Sequence, residues 1–452
     1  MVNFKRVFAL VLALAMVLSL AACGGGTNGD NNSANAGGNK FDVADAFDTD
    51  AFIASMPESL KGTTVTFLNW YNPADRAAEQ ANIEAFEQLS GIKVNVIAPE
   101  YKQYNDKLAG LVATGDSPDV IRMSEPKMGW MKTLQPIVNT GYDFSGKEWN
   151  DEVKRLYSVN GIQYAANLSY TPFVLFSTIQ YHTDTMEEWG FDDPWELWKK
   201  GEWTWEKMNE MSAEWIKQGP DYYGMATVDF EAPAATLGVD FMSYDGSQWK
   251  MDLFGSEILD AWKNIVEMRE NRLSVQGTNT TFDNTKHKAL FGYVDSTVLE
   301  SSSQYGTKLK KRGVFGIAPA PKWEGKEYYV PITELVAWGV PIGAKNPEAV
   351  PYFISHYGNL AKYDLDTFFY KDDNIGTQCR EVFEDMVSQP NRFVTMSNGV
   401  FTFDSNPFIW HVYNNAASSQ LSTFIQSQEY KCQDKLNQHN EVLAHMNTEI
   451  KK

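Results

Sequence analysis

Basic residues are scarce in this chain: 39 lysines and arginines face 58 aspartates and glutamates, for a formal net charge of −19. That balance argues against nucleic acid as a partner, because phosphate neutralisation needs lysine and arginine. It also keeps the folded body off anionic lipid. Histidine is sparse as well. The six are scattered, and His439 and His445 stand six residues apart, wrong for ligands on one helical face. Only three cysteines occur, at Cys23, Cys379 and Cys432, too few for a disulfide scaffold. Cys379 and Cys432 could pair in an oxidising compartment or remain isolated thiols, and the sequence leaves both open. There is no phosphate-binding glycine loop, no G-x-S-x-G elbow and no H-E-x-x-H. Asp372-Asp373-Asn374-Ile375-Gly376 lacks the spacing and terminal glutamate of a calcium loop and reads as a solvated turn. The expectation is a protein without catalytic residues, metal or cofactor.

What is present starts at the N-terminus. Lys5 and Arg6 precede an apolar run from Val7 to Ala22, shorter than the roughly 20 residues of a spanning helix. Charged start, apolar middle and small-residue exit make an export signal. The exit, Leu20-Ala21-Ala22-Cys23, resembles the lipobox of bacterial lipoproteins. That resemblance implies cleavage before Cys23 and diacylglycerol on its thiol. Residues 1–22 then form the signal peptide, and residues 23–40 the lipidated cysteine and a tether. Gly24 to Asn39 is almost all Gly, Asn, Ser, Ala and Thr, a flexible coil giving roughly 20 Å of play. The protein is expected outside the cytoplasm, held to the bacterial membrane by lipid and not by a helix.

More than 400 residues follow the tether, enough for two domains. Aromatic residues make up 13% of the chain, with 14 Trp and 21 Tyr, and part of that must serve more than core packing. From Lys61 to Met123 the pattern is βαβαβ. Thr64 to Leu68 is β-branched and apolar, as a buried parallel strand should be. Asn72-Pro73 offers a helix start, with Ala78, Ile83, Phe86 and Leu89 pointing inward and Gly91 as the stop. Lys93 to Ile97 is the second strand. A helix around Tyr104 to Thr114 leads through Gly115-Asp116-Ser117-Pro118 into the third, Asp119 to Met123. This alternation predicts an α/β layer fold with a parallel sheet.

Further along, Gln163 to Ala166 and Phe173 to Phe176 read as extended chain leaving this sheet. Thr204 to Lys217 is helical, with Trp205, Met208, Met211 or Ser212, and Trp215 on one face, and so is Ile258 to Arg269. The cluster of Trp195, Trp198, Trp203, Trp205 and Trp215 belongs to core and lobe surface. Val314 to Ala318 and Leu335 to Val340 read as strands. A capped helix starts at Asn346-Pro347, and the chain after Ala416 is helical. No short-period repeat occurs, which excludes solenoids and propellers.

Three segments, in this order behind a lipobox, resemble the extracellular solute-binding proteins of bacterial ABC importers, in the carbohydrate-binding group that includes maltodextrin-binding protein. They are Phe86 to Val94, Tyr104 through Val120 with its Gly115-Asp116-Ser117-Pro118-Asp119, and Lys345-Asn346-Pro347-Glu348-Ala349. The resemblance implies a two-lobe α/β fold like that of periplasmic binding proteins, with a hinge and an interlobe ligand cleft. Lobe one is expected over residues 60–167 and 331–376, and lobe two over 168–330 and 377–452. The implied partners are a small-molecule carbohydrate and the permease subunits of an ABC transporter, with the protein itself a monomer.

Ligands of open α/β sheets bind outside the carboxyl ends of the strands. The loops to examine are therefore Asn69-Trp70-Tyr71-Asn72 after the first strand and Ser124-Glu125-Pro126 after the third. By resemblance, lobe two contributes Asp229 and Phe230, Tyr293 and Asp295, and Trp410; the family's usual tryptophan is absent at Tyr293. A pyranose presents an apolar face to an aromatic ring and hydroxyls to neighbouring carboxylates and amides, which these loops supply. Two other readings stand beside capture for import: an anchored glycoside hydrolase or lyase using two acids across one cleft, and a surface glycan-binding protein without a transporter. The Leu20 to Cys23 signal yields the first prediction: Cys23→Ser leaves a protein uncleaved at this site and without fatty-acid label. A Cys23→Ser protein that matures and labels like the wild type would refute the lipoprotein reading.

Overall fold

The computed structural model describes residues 47–124, 131–226, 230–275, 288–299, 315–364, 369, 375–389, 391–394, 402–403 and 406–449. The segments expected to be signal, lipobox cysteine and tether lie outside the described residues. Helix α1 (Thr49–Ala54) leads into strand β1 (Thr64–Leu68), helix α2 (Ala77–Ser90), strand β2 (Lys93–Ile97), helix α3 (Tyr104–Thr114) and strand β3 (Val120–Met123). The chain then makes β4 (Ala165–Ala166) and crosses into the long β5 (Val174–His182). After it come α4 (Trp205–Trp215), β6 (Tyr223–Ala226), α5 (Ser256–Glu270), β7 (Ser274–Val275), β8 (Ala289–Asp295) and β9 (Phe315–Pro319). Strands β10 (Val330–Leu335) and β11 (Ala337–Gly339) follow, then α6 (Val350–Tyr357), α7 (Ile375–Ser388), β12 (Arg392–Val394), α8 (Phe408–Asn415) and α9 (Leu421–Glu449).

Two sheets result. The first has the order β2-β1-β3-β11-β4, and the second β7-β6-β8-β5-β10-β12, with β9 also paired to β5. In the first, β1 runs parallel to β2 and β3, while β11 is antiparallel to β3 and β4. In the second, β6 is parallel to β7 and β8, and β5 is antiparallel to β8, β9 and β10. The expected two-lobe α/β fold is what the chain forms. β10 belongs to the second sheet, so the chain returns to the first at Val336 and not at residue 331.

The two crossing segments hold each other. Asn167 Nδ2 donates to Val336 O at 2.8 Å, Val336 N donates to Phe173 O at 3.1 Å, and Trp338 Nε1 donates to Asn167 Oδ1 at 3.1 Å. All four of these residues are buried. A hinge built this way bends without fraying, since its backbone groups already have partners.

Local chemistry explains most element boundaries. Gly91 and Gly115 cap α2 and α3 with φ of 72° and 77°, the left-handed region that glycine enters without a Cβ clash. Thr204 caps α4 by accepting from Lys207 N at 3.0 Å. The helix expected from Asn72-Pro73 is interrupted: Pro73–Asp75 is a 3₁₀ turn, Arg76 is extended at φ −125°, and α2 starts at Ala77. Its buried stripe is Glu79, Asn82, Ile83, Phe86 and Ser90, while Leu89 is 46% exposed. Spacings of three and four pass through Ser90, so Leu89 falls beside the line instead of on it. Asn346 does not cap with its side chain. Instead Asp119 accepts from Lys345 N at 2.9 Å, Asn346 N at 2.6 Å and Thr66 N at 2.8 Å, so the Ser117-Pro118-Asp119 segment ties β3, β1 and the turn before α6 together.

The first lobe's core stacks Phe67, Phe86, Phe173, Trp338, Phe353 and Tyr357, largely edge to face. In the second, Trp203, Trp205, Met208, Met211 and Trp215 pack with Phe291. Trp195 is buried too and Trp198 half-buried, as expected of that cluster. Cys379 and Cys432 are buried free thiols, each with its pKa pushed up to about 12 by burial.

His356 of α6 is 3% exposed, with Nδ1 3.2 Å from Asn82 Oδ1. Burial, helped by Lys362, lowers its pKa to about 4. The unfolded chain therefore binds this proton first, and stability falls as pH drops from about 6.5 through 4. Between pH 7 and 4.5 His356 accounts for a loss of about 2–3 kcal/mol. Urea unfolding at both pH values should show His356→Gln losing that much less than wild type; equal losses would remove His356 as the cause.

Candidate functional site

Sheet topology points the expected loops toward one place. The carboxyl ends of β1 and β3 in the first sheet lie at the same end as the start of β11, which is antiparallel to β3. That end receives the crossing from β10. In the second sheet the carboxyl ends of β6 and β8 share an end with the start of β5 and the finish of β10, because β5 is antiparallel to β8 and β10 to β5. Both crossings therefore join the carboxyl end of one sheet to the carboxyl end of the other. Asn69-Trp70-Tyr71, Phe230 and Asp295 all lie at these ends.

The most elaborate chemistry is around Trp70 and Tyr71. Trp70 is half-buried, with Tyr104 and Tyr101 edge-on at ring distances of 5.5 and 5.9 Å. The Arg122 guanidinium lies 4.7 Å from the Trp70 ring, 5.1 Å from Tyr71 and 5.0 Å from Phe173. Arg122 is 6% exposed on β3. Its Nη1 donates to Tyr71 Oη, and its Nη2 pairs with Glu334 Oε1 at 3.1 Å. Burial alone would lower its pKa, but Tyr71, Glu334, Glu79 and Tyr357 outweigh that and raise it. Tyr71 Oη in turn donates to Glu79, 3.0 Å from each carboxylate oxygen. Glu79 also accepts from Arg76 at 3.1 Å and from Tyr357 Oη.

Tyr71, expected as a ligand contact, is engaged through its hydroxyl. Its hydroxyl is held inward by Arg122 and Glu79, and the Arg76 guanidinium sits 4.1 Å from its ring. Asn69 is fully buried and caps its neighbour, accepting from Trp70 N at 3.1 Å. Arg122, Glu79 and Glu334 are the residues that sequence reasoning passed over. A lone arginine in the apolar strand Val120-Ile121-Arg122-Met123 was the available signal, because a buried cation needs a partner.

On the second lobe, Tyr293 and Asp295 are half-buried and alternate with buried Val294 at the carboxyl end of β8. Phe230 packs its ring 5.0 Å from Tyr413 of α8, and Trp410 sits half-buried one turn earlier on that helix. Tyr413 Oη is 3.0 Å from Ser274 Oγ, and Arg269 donates to Ala416 O at 2.6 Å, which fixes α8 to β7 and α5. Phe230 and the helix carrying Trp410 are thus brought together. Cys23, Glu125, Asp229 and the Asp372–Asn374 stretch lie outside the described residues. A surface hollow of about 380 Å³ beside α5, lined by Asn209, Asp260, Glu267 and Trp323 among others, contains none of the expected site residues. Among the described residues, no group of three His, Cys, Asp or Glu side chains is placed to hold a metal, and no helix is long and apolar enough to cross a membrane.

Two α/β sheets joined end to end by hydrogen-bonded crossing strands define a hinged, two-lobed binding protein. The chain belongs to the bacterial extracellular solute-binding protein family, whose profile matches residues 71–357. Among solved structures, it is similar to an ABC substrate-binding protein from Listeria monocytogenes in complex with cycloalternan. Identity is 15% and the TM-score 0.56, over 84% of this chain and 99% of that one. It is similar to UgpB from Mycobacterium tuberculosis in complex with glycerophosphocholine, at 15% identity and TM-score 0.60, over 82% and 98%. The sugar-binding protein MalE from Xanthomonas citri matches at 14% identity and TM-score 0.55, over 86% and 100%. A comparison with curated proteins finds no match.

The Tyr71 hydroxyl links a buried cation to a buried acid, so its loss leaves both short of a partner. Tyr71→Phe should lower unfolding free energy by about 1–3 kcal/mol in a urea melt. An unchanged midpoint would show that the Arg122–Tyr71–Glu79 chain does not contribute to stability.

Proposed function

We propose that this chain is a lipid-anchored receptor outside the bacterial membrane that captures a carbohydrate, an oligosaccharide, and delivers it to the permease subunits of an ABC importer. The observation that carries this reading is the half-buried Trp70 at the carboxyl end of the first sheet, fixed by two tyrosines and a guanidinium. An aromatic face held in place suits the apolar face of a sugar ring, and holding it beforehand removes the ordering cost from binding. Glu125 and Asp229 would accept hydroxyl hydrogens, and Phe230, Tyr293, Asp295 and Trp410 would meet the ligand from lobe two. Tyr71, tied through its hydroxyl to Arg122 and Glu79, would meet the ligand beside Trp70.

The lobes in this reading are residues 60–167 with the segment from 337 to about 376, and 168–335 with 377–452. Ligand bridging them favours the closed arrangement, because that state offers more contacts. The bound sugar leaves unchanged, and the protein acts as a monomer.

Titration calorimetry tests the proposal with cycloalternan, maltose and acarbose, and with glycerophosphocholine as the non-saccharide. Stoichiometric binding of a saccharide, recovered intact by mass spectrometry, is expected. Binding of glycerophosphocholine alone, or steady release of sugar fragments, would overturn it. For a bound sugar, Trp410→Ala should weaken affinity roughly 5- to 150-fold, worth about 1–3 kcal/mol, with little change in the ligand-free melting temperature. Trp70→Ala should cost affinity and stability together, since Trp70 also packs on the core. A Trp410→Ala protein with normal affinity and a lowered melting temperature would move that residue from site to core.

A further inference from the structure

The Arg122–Glu334 pair joins two sheets. Arg122 lies on β3 of the first, paired directly with Trp338 of β11, and Glu334 lies on β10 of the second. Only Val336 separates β10 from β11. Any bend at Val336 therefore changes the separation of the two charges. The ladder between β10 and β5 also shifts register between Ile332 and Glu334, and such an irregularity re-aims a side chain. Glu334 is 21% exposed at its side chain against 7% for Arg122, so the acid is the partner nearer solvent.

The same guanidinium touches the rings of Trp70, Tyr71 and Phe173. Phe173 lies in the other crossing segment, where its carbonyl accepts from Val336 N. One cation thus contacts both crossings and the aromatic loop after β1.

We propose that Arg122 is a positioning residue for Trp70 and that its ion pair with Glu334 is an interlobe latch, so that the angle between the lobes and the setting of the Trp70 ring are coupled. This rests on the reading of Trp70 as a ligand contact only for its functional meaning. The physical coupling is independent of any ligand, and so is the test.

The geometry separates the two roles. A lysine at position 122 keeps the charge for Glu334 but has no planar fork to reach Tyr71 and lie against the rings together. A glutamine at 334 keeps a hydrogen-bond acceptor but removes the charge that draws the second sheet toward β3. Arg122→Lys should disturb Trp70 first, and Glu334→Gln should disturb the lobe angle first.

Protein labelled with 5-fluorotryptophan reports the first effect by fluorine NMR, with the Trp70 resonance assigned from Trp70→Phe. Spin labels at Asp116→Cys and Lys217→Cys report the second. Both positions are exposed, one on each lobe, and the native Cys379 and Cys432 are buried. Arg122→Lys should shift or broaden the Trp70 resonance while leaving that of buried Trp149 in place. Glu334→Gln should broaden or displace the interlobe distance distribution and move the Trp70 resonance with it. If Arg122→Lys fails to fold, Glu334→Gln alone decides, because its site is partly exposed. A superimposable distance distribution and an unmoved Trp70 signal in Glu334→Gln would overturn the latch. A Trp70 signal that follows these variants but ignores every saccharide tested would sustain the latch and refute the carbohydrate reading.

Discussion

A guanidinium 6% exposed in the middle of a sheet strand carries a desolvation cost of several kcal/mol, and the surroundings of Arg122 are arranged to offset it. One prong goes to Tyr71, one to Glu334, and three aromatic rings cover its faces. None of these partners comes from β3 itself. They come from the loop after β1, the crossing before β5 and the end of β10, so the charge is satisfied only when both sheets and both crossings are assembled. Removing one partner from a buried pair is costlier than never having had it. The first sheet's central strand, the hinge and the aromatic loop are in this sense one construction.

Under the role proposed for Trp70, that construction makes it a better platform than an exposed tryptophan on a loop would be. Its ring meets Tyr101 and Tyr104 edge to face, and Tyr104 is itself pinned by hydrogen bonds from its hydroxyl to Leu68 O and Arg122 O. Little rotamer freedom remains to be lost when something stacks on the ring. The helix bearing Trp410 is fixed in a comparable way by Arg269 and Ser274. Rigid faces on two lobes joined by a bending hinge let binding energy act on lobe angle instead of on side-chain ordering.

Much of this was legible in the sequence where the determinants are local. Thr64 to Leu68 and Gly91 fell where strand propensity and glycine's access to positive φ put them. The α/β class followed from alternation, and the loop of Trp70 lies at a strand's carboxyl end, as the sequence placed it. What escaped depends on residues far apart in the chain. Arg122 and Glu334 are separated by 212 positions and Tyr357 and Glu79 by 278, and no periodicity carries such pairings. Leu89 is apolar yet faces solvent, because buried Glu79 and Asn82 take the line that apolar residues usually hold. Val336 read as the inside of one strand because a crossing between sheets keeps extended backbone and leaves no turn residue behind.

Among the described residues, the first helix is fastened to the first lobe. Thr49 Oγ1 donates to Ser355 O at 3.0 Å, Asn359 Nδ2 donates to Thr49 Oγ1 at 2.9 Å, Phe52 stacks on Tyr352 at 4.5 Å, and Lys362 pairs with Asp50 at 2.7 Å. All of these contacts are to α6 and the residues just after it, on the first lobe's side of the hinge. Under the anchor proposed from Cys23, the membrane's restraint reaches the protein through that lobe. The second lobe is then joined to the held one through the crossings and through direct contacts such as Tyr244 Oη to Ser158 O and Asn160 N to Gly246 O, each at 2.8 Å. An acidic body is repelled by an anionic surface, so a lobe attached in this way stays clear of the lipid while it opens and closes. With the first lobe held in this way, ligand-driven closure is a movement of the second lobe against it.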